Sequence, residues 1–162
     1  SASETALLGY HNDKEINQGI WLKRSSVKAN CESIMEAFDV RPTNPDLKSS
    51  NFSGGNQQKL ILAREFERDP EVLIIGQPTR GVDIGAIEFI RKRIIEMRDA
   101  GKAIILISVE LEEIMSLSDR IIVMCDGEIT GTVDASDADE ATLGMMMANV
   151  LISQEKSNEA QL

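Results

Sequence analysis

A chain of 162 residues with a net charge of −10, 42% hydrophobic and 27% charged, has room for one domain or one and a half. It can bury a core and keep a well-solvated surface. The acidic balance argues against a nucleic-acid-binding face, which is ordinarily basic. Cys31 and Cys125 lie far apart with no paired spacing, which fits a reducing, cytoplasmic setting better than a disulfide framework. Nothing at the start reads as a signal peptide. The longest charge-free run, 141–154, contains Thr142, Asn149 and Ser153. It is too short and too polar to span a bilayer, so any membrane role has to come through a partner.

In chain order, residues 1–50 are mixed and polar, without strong strand signals. Within them, 27–38 places Val27, Cys31, Ile34, Met35 and Phe38 on one helical face, with Ser25 or Ser26 as N-cap. "RPTNPD" (41–46) predicts a turn. From 51 to 133 helices and strands alternate: helix 57–68, strand 72–75, helix 86–100, strand 103–108, helix 111–117, then strands 120–124 and 128–133. Ile87, Ile90, Ile94 and Met97 share one face of the 86–100 helix. Asp126-Gly127 is a hairpin dipeptide joining the last two strands. Apolar strands separated by helices predict an α/β fold with a parallel sheet covered on both faces. An acidic loop, "DASDADE" (134–140), leads to a short helix and a polar tail over 154–162 that is expected to be disordered. The organisation is therefore a helical part, 1–50, a core, 51–133, and a C-terminal part, 134–162.

The informative motif is "NFSGGNQQK" (51–59). Ser53, Gly54 and Gly55 stand just before a helix. The glycines let backbone approach a ligand closely and turn N–H groups toward it. Ser53 can cap the helix and also donate to a phosphate. Alone, such a turn is a common helix start that binds nothing.

Its company is more specific. "FSGGNQQK", "LIIGQPTRGVD" and "IILISVELEEIMSLSDRIIVMCDGEI" resemble the signature motif, the Walker B strand with its D-loop, and the switch strand with its closing hairpin of ABC transporter ATP-binding subunits. The likeness runs from about 27 to 149. Asn56 and the "PTRGVD" wording resemble the second ATPase half of the tandem importers for simple sugars and ribonucleosides, and "GQP" leans to the nucleoside branch. The resemblance implies a P-loop NTPase-like (ABC ATPase) core plus a helical subdomain. It implies a subunit that uses ATP and Mg²⁺ in the full assembly. Its partners would be an N-terminal ATPase half of the same polypeptide, membrane permease subunits and, indirectly, a substrate-binding protein. It would work as a peripheral protein on the cytoplasmic face of the membrane.

In that family ATP lies between two ATPase domains, one supplying a phosphate loop and the other the signature motif. No phosphate loop is present here. Gly101-Lys102 is followed by Ala103, where Ser or Thr is required, and reads instead as a helix C-cap glycine before a strand. The chain is expected to be a fragment lacking the phosphate-loop half of its domain, and to hold no cofactor or metal by itself. The family's Walker B strand ends in Asp, which orients the magnesium shell, and Glu, which polarises the attacking water. Gly76 and Gln77 occupy those positions, and Val109 stands where the switch histidine belongs. Glycine cannot hold a magnesium-bound water, glutamine can orient a water but cannot accept its proton, and valine can neither donate to a γ-phosphate nor shuttle a proton. The domain's own site is thus expected to be dead. Ser53, Gly54, Gly55, Asn56 and Gln57, with D-loop residues Gly81, Val82 and Asp83, are expected to complete the opposite site. Gln58 and Lys59 read as solvated helix residues.

The remaining polar and aromatic residues carry little. His11 has no metal-ligand partners nearby in sequence. Trp21 is expected to pack in the helical subdomain, and Met145, Met146 and Met147 against the core. Glu110, Glu112 and Glu113 read as a charged first turn of a helix. A soluble, non-transport ABC ATPase and a non-enzymatic docking module on the same fold are the rival readings. In the family, the phosphate-loop strand lies between strands 103–108 and 120–124. Without it, those strands should pair directly or recruit a second copy, so self-association is expected.

Overall fold

The computed structural model describes residues 1–9, 16–18 and 21–149. His11 and the 154–162 tail lie outside the described residues. Two compact units are present: 1–73 with 78–105, and 74–77 with 106 onward.

The first unit opens with helix α1 (Ala2–Leu7). Two-residue strands β1 (Asn17–Gln18) and β2 (Trp21–Leu22) follow as an antiparallel pair. Neither α1 nor this pair is announced by periodicity, because the elements are too short to display one. Helix α2 (Arg24–Ala37) buries Cys31, Ile34, Met35 and the adjoining Phe38, the expected face. Its start is earlier than expected: Lys23 is the N-cap, without a side-chain cap bond, so neither Ser25 nor Ser26 plays that part. Helix α3 (Gly54–Phe66) starts at the glycines themselves, three residues before the predicted 57, because Ser53 caps it directly. Helix α4 (Ile84–Asp99) is capped by Asp83 and buries Ile90 and Ile94.

α3 packs on α1, α2 and α4. At the centre, the Phe38 ring meets Phe66 and Phe89 edge-to-face, with centroids 6.0 and 6.1 Å apart, the geometry favoured by opposed ring quadrupoles. Arg93 lies over both Phe38 and Phe89 and donates to the carbonyl of Ala37, pinning the end of α2 to α4. Trp21 is 75% exposed, which corrects the expectation that it packs inside. β2 is too short to carry it back onto the helices.

Strands β3 (Val72–Gly76) and β4 (Ala103–Ile107) form a two-stranded sheet. They run in the same direction: Ala103 N–H donates to Glu71 O, and Gln77 N–H to Ile107 O. Leu73 and Ile75 are buried, whereas Val72, Ile74, Ile105 and Ile107 are each more than half exposed. The sheet is therefore parallel as expected, but only one of its faces is covered.

In the second unit, helix α5 (Leu111–Leu117) is followed by strands β5 (Arg120–Cys125) and β6 (Glu128–Asp134), an antiparallel hairpin with an irregularity at Val123/Met124. Asp126 and Gly127 both have positive φ, 50° and 81°, as a two-residue primed turn requires. Helix α6 (Glu140–Met147) packs on the hairpin, where Leu143 joins Ile121 and Val123 in a small core. Met146 packs there, against Gly131 so closely that a Cβ would strike its sulfur. Met145 and Met147 are substantially exposed, so one methionine of the three serves the core. Strands 103–107 and 120–125 do not pair. The expected direct closure is absent because β5 makes its ladder with β6 alone.

Candidate functional site

The 53–55 turn is built by three hydrogen bonds that the sequence motif alone does not reveal. Ser53 Oγ accepts from the backbone N–H of Asn56 at 3.4 Å, the usual N-cap bond, and from Asn56 Nδ2 at 2.9 Å. Asn56 Oδ1 accepts from the backbone N–H of Arg41 at 2.7 Å. A backbone N–H can only donate, so the amide oxygen of Asn56 must face Arg41 and its NH₂ must face Ser53. Both lone pairs of the Ser53 hydroxyl are thus engaged by donors, and its proton is left to donate away from the turn. Ser53 is exposed, so that direction is open. Gln57 Nε2 donates back to Phe52 O at 2.9 Å and locks the approach to the turn.

Gly54 and Gly55 are the first residues of α3, whose leading N–H groups have no acceptor within the helix. Together with the aligned peptide dipoles they favour an anion. The chemistry available is phosphate or carboxylate binding, with no proton transfer: no group of the turn titrates near neutrality. Lys59 is not part of it. Its ammonium sits 4.6 Å from the Phe89 ring centroid and 3.6 Å from an Asp39 carboxylate oxygen, so it is neither solvated, as expected from sequence, nor turned to a ligand. The pair holds Asp39 below the usual carboxylate range, Arg41 contributing the largest share through a 2.9 Å bond and Lys59 the next.

Gly81, Val82 and Asp83 lie in the same unit. Gly81 has φ 72° and needs glycine for it. Val82 N–H donates to Thr79 O at 3.4 Å. Asp83 Oδ1 accepts from Ala86 N–H at 2.9 Å and caps α4.

Gly76 and Gln77 belong to the second unit, as does Val109. A Cβ added at Gly76 would meet nothing within 4 Å, so glycine is there without a steric demand for it. Gln77 carries the strain instead: its φ is 51°, a left-handed conformation that costs an L-residue about 1–2 kcal/mol. Its N–H is tied to Ile107 O at 2.8 Å. Val109 is 62% exposed. No carboxylate or imidazole stands at any of these positions, and no group of three or more His, Cys, Asp or Glu suited to a metal occurs among the described residues. Gly101 has φ 86° just past α4, and Lys102 bonds to Asp69 and Glu71. That is the C-cap arrangement expected from sequence. The sequence reading missed Glu113, which is fully buried on α5. A carboxylate in an acidic first turn gives no signal of which way it faces.

No family model matches the chain. Relatives do. Over 153 residues it is 44% identical to the nucleoside import ATP-binding protein NupA of Lactococcus lactis, covering 94% of this chain and 30% of that protein. It is 48% identical over 127 residues to the guanosine import ATP-binding protein NupO of Bacillus subtilis, covering 78% and 25%. It is 42% identical over 149 residues to the glucose import ATP-binding protein TsgD13 of Haloferax volcanii, covering 91% and 27%. The chain thus spans about a quarter to a third of the length of the curated relatives it matches. Among solved structures, a dimeric ATP-binding cassette bound to ADP and phosphate matches with a TM-score of 0.66 at 20% identity, over 83% of this chain and 56% of that one. An inward-facing metal-chelate type ABC transporter matches with a TM-score of 0.71 at 11% identity, over 91% and 57%. At those identities the structures speak to fold alone. The chain has the ABC ATPase fold over part of a cassette, and by sequence it is similar to a stretch of proteins named as import ATP-binding proteins for nucleosides, guanosine and glucose.

Proposed function

We propose that the chain is part of the ATP-binding subunit of an importer for simple sugars or nucleosides, and that it lends its 53–57 turn and residues 81–83 to an ATP site whose phosphate loop belongs to another ATPase domain. The observation that carries this reading is the Ser53 hydroxyl. It is held as an acceptor on the inside and is left to donate outward at the N-terminus of a helix. That arrangement fits the phosphate end of a nucleotide. When bound, ATP supplies the phosphates that bring two such domains together, and that closure drives the membrane subunits. This chain's residues bind and orient an anion, and Gln57 and Asn56 keep the turn in shape.

The fit does not extend to magnesium. Gly76 and Gln77 offer no carboxylate, and Val109 offers no donor, so the chain's own positions provide neither a metal shell nor a base. In this reading 1–50 is part of the helical subdomain that faces the membrane subunits, 51–133 is the C-terminal part of the ATPase core, and 134–162 is a C-terminal helix and tail. The partners are an N-terminal ATPase half, permease subunits and, through them, a substrate-binding protein, at the cytoplasmic face of the membrane. The bare apolar row Val72, Ile74, Ile105 and Ile107 is the surface through which the chain by itself self-associates. A strictly monomeric species in light scattering would contradict that last point.

Replacing the matching stretch of the Lactococcus protein with this chain creates a transport assay. Ser53→Arg and Gly54→Asp should each abolish import, by putting bulk and charge where a phosphate approaches. Changes at Gln77 should leave it within about twofold. The reverse ranking would overturn the proposal. The purified chain should neither bind Mg-ATP with micromolar affinity in calorimetry nor release phosphate above background.

A further inference from the structure

Gly54 and Gly55 lend themselves to a ligand explanation, yet at Gly55 the space is already filled from within the chain. A Cβ there would lie 2.9 Å from Asp83 Oδ2 and 2.9 Å from Ala86 Cβ, both closer than real Cβ contacts allow. Neither neighbour can yield easily. Ala86 Cβ is fixed to the first turn of α4, and the Asp83 carboxylate is tied down because its other oxygen accepts from Ala86 N–H at 2.9 Å. One residue back, a Cβ on Gly54 would come to 3.1 Å from Gly81 O. Successive residues of one turn thus rest on successive parts of the other.

We propose that Asp83 is a positioning residue for the 53–55 turn. Its carboxylate joins the first turn of α4 to the first turn of α3 as one packed junction, and residue 55 is glycine because Asp83 and Ala86 need the room. One oxygen caps α4 while the other rests against Gly55. A carboxylate so placed also lies at the start of α3 as well as of α4, where peptide dipoles favour negative charge. A displacement of either turn is carried to the other, because a close-packed contact with no slack transmits it. The functional consequence rests on the reading above, in which Ser53 must hold its hydroxyl in place for a phosphate.

Hydrogen exchange by mass spectrometry on the whole 162-residue chain tests the junction without any nucleotide, so its failure and the failure of the transport reading can be told apart. Gly55→Ala should speed exchange about tenfold or more in peptides covering both 53–57 and 83–87. Asp83→Ser keeps a good N-cap for α4 but withdraws the oxygen from Gly55. Alone, it should speed exchange at 53–57 while leaving 83–87 within about threefold of wild type. Combined with Gly55→Ala, it should restore much of the lost protection, and Ala86→Gly should do the same from the other contact. If Gly55→Ala does not fold, the Asp83→Ser pattern decides the matter. Unchanged exchange at 53–57 in Asp83→Ser, no response at 83–87 to Gly55→Ala, or purely additive effects in the double variants would each overturn the proposal.

Discussion

Replacing Asn56 by Leu removes both ends of a bridge while keeping the branched shape of the side chain. The Arg41 N–H loses its acceptor at 2.7 Å, and the Ser53 hydroxyl loses its donor at 2.9 Å. A typical intramolecular hydrogen bond contributes about 0.5–1.5 kcal/mol net, so the pair amounts to about 1–3 kcal/mol. Arg41 and Ser53 are exposed, so water can partly replace what is lost, and the lower half of that range is expected. Urea unfolding followed by circular dichroism should show a reduced midpoint with an unchanged slope. Asn56→Asp is the informative companion. An Asp oxygen still accepts from Arg41, and a carboxylate at the third residue of α3 is favoured by the helix dipole, so stability should stay near wild type. Its second oxygen, however, would accept from the Ser53 hydroxyl and draw the proton inward. In the transport assay Asn56→Asp should therefore lose import despite being well folded. Asn56→Leu within about 0.3 kcal/mol of wild type, or Asn56→Asp with full import, would refute the reasoning.

At the end of β3, Gln77→Gly should stabilise the chain by up to about 1 kcal/mol, since glycine adopts φ 51° freely but also gains entropy when unfolded. Gly76→Asp should fold normally, because nothing lies within 4 Å of the new Cβ, and should confer no ATPase activity. A shift in thermal midpoint of the opposite sign, or phosphate release, would count against this. Burial pushes the Cys31 thiol up to about 11, with Glu32 and Asp46 adding to it. At pH 8 a thiol reagent should therefore modify the half-buried Cys125 promptly and Cys31 only on unfolding. Asp139 caps α6, and its bond from the Thr142 hydroxyl at 2.6 Å holds its carboxyl below the usual value. A lowered folded value means that the cap's contribution is present above the ordinary aspartate range and lost as the pH falls through the depressed one. Asp139→Asn should flatten that acid limb, as read from thermal midpoints between about pH 2 and 5.

The order of elements from α2 to α6, the Asp126-Gly127 turn and the buried faces of α2 and α4 follow from the sequence by itself. Each depends on local periodicity or on a residue whose backbone preference is strong. The identities of Gly76, Gln77 and Val109 likewise needed no coordinates, because chemistry that is absent from the side chain is absent in any fold. Only the tertiary structure decided that Asn56 ties Ser53 to Arg41, that Lys59 is spent on Phe89 and Asp39, and that Gly55 is crowded by Asp83 and Ala86. Apart from the local Asn56–Ser53 bond, these contacts join residues 15 to 31 positions apart, a separation at which neither pattern nor propensity carries information. Trp21 shows the same limit from the other side. Its hydrophobicity predicts burial, yet on a two-residue strand it stands 75% exposed.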